Sequence, residues 1–312
     1  MEYFQPQDLR EIYQVISALR PNFPTRLLCK ILGVSKSSYY DYVRGRTYVY
    51  SQSKLDLVTE IKEIFNADKR RYGSRRIQGV LVDKGYKVGL RQIRTIMQRE
   101  GLKALQSKRF VPKTTQSHPH LKRNPNLLLE EENLPKRPYE VVVSDITYLK
   151  SIENNNEDWL DLAVWMDLYT RKILGWNVAK NMEEALVIEA FKMLVKKGFI
   201  PSEMIVPSDG GGQYASTNFR ALLARHDCKQ SMTRKDNHYD NAFIESLWSR
   251  LKTELDNEVF QGLEDAQLKL FEYIEAYYNT VRKHSSIGYL SPHQFEQLAI
   301  QTGEDLGKEY IL

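Results

Sequence analysis

Three acidic residues in the second half of this chain stand where a carboxylate needs a reason. Asp145 interrupts a β-branched run over 140–150, where burying a charge is costly unless it is paired or metal-bound. Asp209 follows Ile205-Val206 and precedes Gly210-Gly211-Gly212. That places it at the carboxyl end of a strand, where ligands of α/β sheets collect. Glu245 comes after Asp240-Asn241-Ala242-Phe243, near the start of a helix predicted over 242–255. Carboxylates of this kind suit a hard divalent cation such as Mg²⁺, which takes oxygen ligands and leaves other positions to water or substrate phosphate. The only cysteines, Cys29 and Cys228, are far apart in the sequence. A disulfide framework and a cysteine-based zinc site are thereby excluded, and a reducing cytosol is expected.

The elements that must position these residues are readable from pattern. Segments 140–150, 159–168 and 173–178 are β-branched or alternating and predict three strands, the last two joined by a turn at 169–172. An amphipathic helix over 182–197, a short apolar strand over 204–207, a helix over 218–226 and a strand over 230–233 follow. Three consecutive strands and then alternating helices and strands predict a mixed sheet flanked by helices.

The front of the chain has a different grammar. Residues 1–140 hold 27 Lys and Arg against 14 Asp and Glu, whereas 141–312 hold 18 against 26, so the net charge of +5 conceals a basic half and an acidic half. A basic half is the electrostatic footprint of a polyphosphate partner. Within it, 25–32, a glycine turn over 33–37 with serine caps, and 38–43 match a helix-turn-helix. The pattern recurs as a helix over 74–81, a turn over 84–89 and a helix over 90–97, on which Arg91 and Arg94 oppose Ile93, Ile96 and Met97. Such helices enter the major groove by their N-terminal residues, and Arg75, Arg76 and Lys36 are counted with them as DNA contacts. Residues 107–137, rich in Lys, Arg, Pro, Ser and His, read as a basic linker. No apolar run approaches a membrane span, and the N-terminus lacks the pattern of a signal peptide.

Ser-Asp-Ile-Thr-Tyr (144–148), Pro-Ser-Asp-Gly-Gly-Gly-Gln-Tyr-Ala-Ser (207–216) and the block Tyr-Asp-Asn-Ala-Phe-Ile-Glu (239–245) continuing to Lys252 resemble the three catalytic blocks of DDE transposases and retroviral integrases. Asp209 and Glu245 are separated by 35 residues, the D,D-35-E spacing of that superfamily. The likeness is greatest to the second-frame product of IS-three-type bacterial insertion sequences. Arg-Arg-Tyr-Gly-Ser-Arg-Arg-Ile (70–77) resembles the upstream helix-turn-helix block of that group, and 278–292 its C-terminal signature. The chain departs from the family pattern at Pro207 and Gly210, where histidine and arginine are usual.

The resemblance implies an RNase H-like fold in which Asp145, Asp209 and Glu245 hold two Mg²⁺ ions, Mn²⁺ being a substitute. The implied chemistry is DNA strand cleavage and strand transfer by in-line attack at phosphorus. Lys252, seven residues after Glu245 on the same helical face, matches the basic residue the family places there to contact phosphate. On the residues alone, Asn241 would touch the terminal nucleotides or cap this helix, and Gln213 and Tyr214 would approach DNA or belong to a plain turn. The expected organisation is a helix-turn-helix over 1–50, a second over 51–106, the linker over 107–137, an α/β catalytic core over 138–260 and a helical segment over 261–312. Partners are duplex DNA (terminal inverted repeats and target), further copies of the chain, and an upstream-frame helix-turn-helix and leucine-zipper protein. The expected location is cytoplasmic, on the nucleoid. A nuclease that does not join, a DNA-binding regulator and a catalytically silent domesticated transposase are the competing readings. Tyr273, Ile274, Tyr277 and Tyr278 would serve either an oligomer contact or packing within the chain.

Overall fold

The computed structural model describes residues 9–45, 52–106, 124–232, 242–255, 258–303 and 305–306. The chain divides into two compact units, Met1–Ile64 and Phe65–Leu312. The first contains α1 (Leu9–Leu19), α2 (Thr25–Ile31), α3 (Lys36–Val43) and most of α4 (Gln52–Ala67). Tyr13, Ile16, Leu28, Cys29 and Tyr39 form its core. The turn between α2 and α3 uses Gly33 at φ +67, a left-handed conformation that favours glycine. It lets Val34 N–H return to Cys29 O at 3.0 Å, closing the helix end. Ser35 then caps α3 by accepting from Ser38 N–H at 3.0 Å.

The second unit begins with α5 (Ser74–Asp83) and α6 (Leu90–Arg99). Ile77 and Leu81 of α5 and Ile93, Ile96 and Met97 of α6 are buried. Arg75, Arg91 and Arg94 are exposed. Gly85 at φ +83 repeats the turn device, with Tyr86 N–H bonded to Leu81 O at 2.8 Å. Both helix-turn-helix expectations therefore correspond to helix pairs in the structure.

The sheet is built from β1 (Val142–Glu153), β2 (Asn156–Asp167) and β3 (Ile173–Ala179), paired antiparallel in that order, and from β4 (Ile205–Ser208) and β5 (Lys229–Met232), paired parallel. A parallel bridge between Val141 and Ile205 joins the two parts, so the strands run in the order 3-2-1-4-5. Central strands are apolar on both faces because helices cover both. On one side α7 (Glu184–Lys196), α8 (Gly212–Ala215) and α9 (Thr217–Arg225) bury Leu186, Phe191, Tyr214 and Phe219 against Val142, Trp165 and Leu174. The approach of α7 is close: a Cβ at Gly175 would lie 2.3 Å from Ala190 O. On the other side α10 (Ala242–Glu254) and α11 (Gly262–Phe271) bury Ile244, Leu247, Leu251, Ala266 and Leu270 against Leu162, Val164 and Ile173. After α11 comes a π-helical stretch, Glu272–Tyr278, and then α12 (Pro292–Thr302), which starts with a Ser291–Gln294 capping box.

Tyr273, Ile274 and Tyr278 are buried in the core that α10 shares. Packing within the chain, rather than an oligomer contact, accounts for them. The wider helical turn places Asn279 N–H on Ile274 O at 3.0 Å. From the linker segment only 124–137 is described; there Leu127 N–H donates to Ser231 Oγ at 3.0 Å and Met232 N–H to Pro125 O at 3.3 Å.

Candidate active site

The register of β1 against β4 decides the geometry. Val141 is bridged to Ile205, and Ile205 N–H donates to Glu140 O at 2.9 Å. Asp145 and Asp209 each lie four residues beyond that bridge. An even offset in adjacent parallel strands brings both carboxylates to one level and one face of the sheet. They line a cavity of about 30 Å³ together with Ile146, Tyr148, Met182, Gln213 and Tyr214.

Each carboxylate is held from behind. Trp248 Nε1 donates to Asp145 Oδ2 at 2.8 Å, and Gly211 N–H donates to Asp209 Oδ1 at 2.9 Å. A Cβ at Gly211 would stand 2.9 Å from that same oxygen, so the backbone can cradle Asp209 only because residue 211 is glycine. Burial pushes the Asp145 carboxyl up to about 7, with the charges of Asp209 and Glu245 adding to it and the Trp248 and Ile146 N–H groups opposing it. Two negative groups crowded into a desolvated cleft fit a divalent cation.

Glu245 lies on α10, exposed at its start, and reaches Asp145 through its charge. Among the described residues no three His, Cys, Asp or Glu side chains are gathered closely enough to hold one ion. The structure thus brings Asp145 and Asp209 together and leaves Glu245 beside them. Lys252 is on the same helical face; burial lowers its ammonium and the Asp145 carboxylate opposes that shift.

Two assignments change. Tyr214 is 1% exposed, and its hydroxyl lies 2.9 Å from Ser144 Oγ. It packs beneath the carboxylates as part of the sheet core and presents no group to DNA. Arg76 Nη1 donates to the buried Glu254 Oε1 at 2.8 Å, so its charge is spent inside the protein, while its neighbour Arg75 is exposed. Gln213 donates to Met182 O at 3.0 Å and ties the loop before α7 to the cleft. Lys36 is exposed on α3, with Nζ 5.7 Å from the Tyr40 ring centroid. Asn241 lies outside the described residues. Sequence reasoning passed over Trp248, although its place three residues after Glu245 and four before Lys252 put it on the carboxylate-facing side of α10.

Comparison with known proteins identifies the domains that carry these residues. One integrase core domain model matches residues 135–238, another matches 226–292, and an HTH-like domain model matches 52–110. Transposase InsF for insertion sequence IS3A of Escherichia coli K12 is 34% identical over 287 residues, covering 91% of this chain and 98% of that protein. The chain belongs to the IS3 family of insertion-sequence transposases. An IS600 31 kDa protein of Shigella sonnei is 35% identical over 271 residues, covering 86% of this transposase and 97% of that protein. Among solved structures, the HTLV-2 integrase catalytic core domain in complex with magnesium matches with a TM-score of 0.35 and 18% identity, covering 51% of this chain and 96% of that one. The transposase joins a helical helix-turn-helix region to an RNase H-like integrase core with a helical C-terminal segment, and is a DNA-binding protein by family. Among the described residues no helix is long and apolar enough to cross a membrane.

Proposed function

We propose that this transposase cleaves DNA at the ends of its insertion sequence and joins the resulting 3′ ends to target DNA, using divalent magnesium held by Asp145, Asp209 and Glu245. The observation that carries the reading is the β1–β4 register, which sets two carboxylates side by side, with Glu245 acting on Asp145 from α10. When bound, magnesium supplies Lewis-acid stabilisation to the attacking and leaving oxygens of an in-line displacement at phosphorus. The chain's own contribution is positioning. The Trp248 indole and the Gly211 amide fix the two aspartates, and the buried walls around them strengthen their hold on a cation. Lys252 meets a DNA phosphate near the reacting strand.

Arg91, Arg94 and Arg75, and Lys36 of the first helix pair, contact the terminal repeats; Asn241 and Gln213 serve as contacts to the end being processed. Insertion joins two ends to one target, so at least two copies act together on DNA, with an upstream-frame protein as a further partner. Nucleoid DNA is the setting. The test is replacement of Asp145 or Asp209 by Asn, or Glu245 by Gln. Each variant is expected to bind labelled element ends as wild type does and to lose cleavage and joining by at least about a thousandfold, since an amide is no charged ligand for a hard cation. Joining at the wild-type rate by any one of them overturns the assignment.

A further inference from the structure

A second cavity, of about 240 Å³, lies on the other face of α10. Glu245, Trp248 and Lys252 share the face toward Asp145; Phe243, Ser246, Leu247 and Arg250, which line this second cavity, are on the opposite side of the helix. Its other walls come from the β2–β3 turn and from residues after the π-helical stretch, notably Arg171, Arg282 and Ser285. None of these belongs to the carboxylate cleft.

The cavity is walled by arginines whose donors are not used up. Arg171 is 6% exposed and Arg282 1% exposed. Arg171 Nε and Nη1 and Arg282 Nη1 are buried with no hydrogen-bond partner among the described residues. Buried guanidinium donors left unpaired carry a desolvation cost, which an incoming anion would remove. The surrounding acids are already engaged. Glu254 is held by Arg282 through two bonds of 2.8 and 2.9 Å and by Arg76. Asp167 accepts from the Thr170 hydroxyl at 2.6 Å and from backbone N–H groups of Tyr139 and Thr170. His284 is kept neutral by burial and by the neighbouring arginines, and its Nδ1 lies 2.9 Å from Ser286 Oγ.

The turn that delivers Arg171 is itself unusual. Arg171 has φ +63, a conformation that glycine would occupy more cheaply. The chain is locked there by Arg171 N–H to Asp167 O and Asp167 N–H to Lys172 O, both 2.9 Å. The side chain is thereby turned inward under the Phe243 ring, 4.6 Å from its centroid. Strain kept at a residue with two buried N–H donors unpaired points to a role for those donors.

We propose that this cavity binds a phosphate group, with Arg171, Arg250 and Arg282 as guanidinium donors and Ser246 and Ser285 as hydroxyl donors. Guanidinium forks match the oxygens of a phosphoryl group in geometry as well as charge. A phosphodiester of bound DNA and a free phosphate or pyrophosphate share this chemistry. The inference does not depend on metal at the carboxylates, because the two sites use opposite faces of α10.

The test uses the full chain and two variants, Arg171→Gln and the exposed Arg250→Gln, with Asp145→Asn as a control. Pyrophosphate is titrated by calorimetry, and each protein is assayed on element-end DNA by phosphate-ethylation interference. Wild type and Asp145→Asn are expected to bind pyrophosphate equally, and each arginine variant about tenfold more weakly. If the occupant is DNA, one ethylated phosphate that blocks wild-type binding ceases to matter in Arg250→Gln. If that pattern is unchanged while pyrophosphate binding falls, the phosphate is a free one. Should Arg171→Gln not fold, Arg250→Gln alone decides. The proposal is overturned if Arg250→Gln leaves both the pyrophosphate binding and the interference pattern as they are in wild type.

Discussion

Replacement of Glu254 by Gln tests the cluster that fastens α5 and the C-terminal segment to α10. The Glu254 side chain is 4% exposed and accepts from Arg282 Nε and Nη2, from Arg76 Nη1 at 2.8 Å and from Tyr273 Oη at 3.0 Å. Glutamine keeps the shape and removes the charge, leaving two arginines facing a neutral group. Breaking a buried pair from one side costs about 3–5 kcal/mol, because the surviving charge stays buried without compensation. The titration agrees in direction. Burial alone would raise the Glu254 carboxyl, but Arg282 and Arg76 outweigh it and hold it at about 2, against an ordinary 4.5. That difference corresponds to roughly 3 kcal/mol. For a unit of this size the melting temperature should fall by about 10 °C. A carboxyl held low binds its proton less readily folded than unfolded. Its contribution is therefore complete above about pH 4.5 and is lost as the pH falls toward 2. Urea unfolding followed by tryptophan fluorescence, at pH 7 and at successively lower pH, measures both. A loss under about 1 kcal/mol at pH 7, or a gap between wild type and variant that does not narrow in acid, refutes the reasoning.

Two further outcomes are expected. Because burial and then Asp209 push Asp145 up to about 7, the folded protein holds that proton more tightly than the unfolded chain. Stability without added metal should then fall by roughly 1–3 kcal/mol as the pH rises from about 4 to 7, and Asp145→Asn should flatten that slope in a thermal melt taken across the range. Arg91→Ala and Arg94→Ala remove exposed charges from α6. Each should weaken binding to element ends and reduce the salt slope by about one if it meets phosphate, or relax base preference at one position if it reads a base edge, as a filter-binding series in salt would show.

Asp145 was legible because a carboxylate in a β-branched run is out of place, and Asp209 because a strand ends there in glycines. The strands and the two helix-turn-helix pairs were legible because period and turn residues are local properties. The parallel bridge from Val141 to Ile205 was not, since it joins segments separated by a hairpin and α7. Tyr214 was misread for a related reason. A tyrosine after three glycines looks presented, but α8 turns it under the sheet into contact with Phe219, at 5.7 Å between ring centroids. Arg76 stands in a basic run that resembles a DNA-binding block, and nothing nearby in sequence reveals that its partner is Glu254.

The attachment of α5 reaches further than stability. Arg71 Nε donates to Glu254 O at 3.0 Å, Tyr72 Oη accepts from Lys283 N–H at 2.7 Å, Lys283 pairs with Asp83, and a Cβ at Gly79 would lie 3.1 Å from Tyr289 Cβ. The helix pair α5–α6 is thus clamped to the same body that carries Asp145 and Asp209. If α6 meets a terminal repeat and the carboxylates cut DNA as proposed, the span from that seat to the scissile phosphate is a dimension of the folded protein, independent of how many residues separate 106 from 124. The molecule then works as a caliper. Base pairs inserted between the recognised sequence and the element's end would not be followed by a shifted cut; they would rotate the end away from the carboxylates by about a tenth of a helical turn apiece.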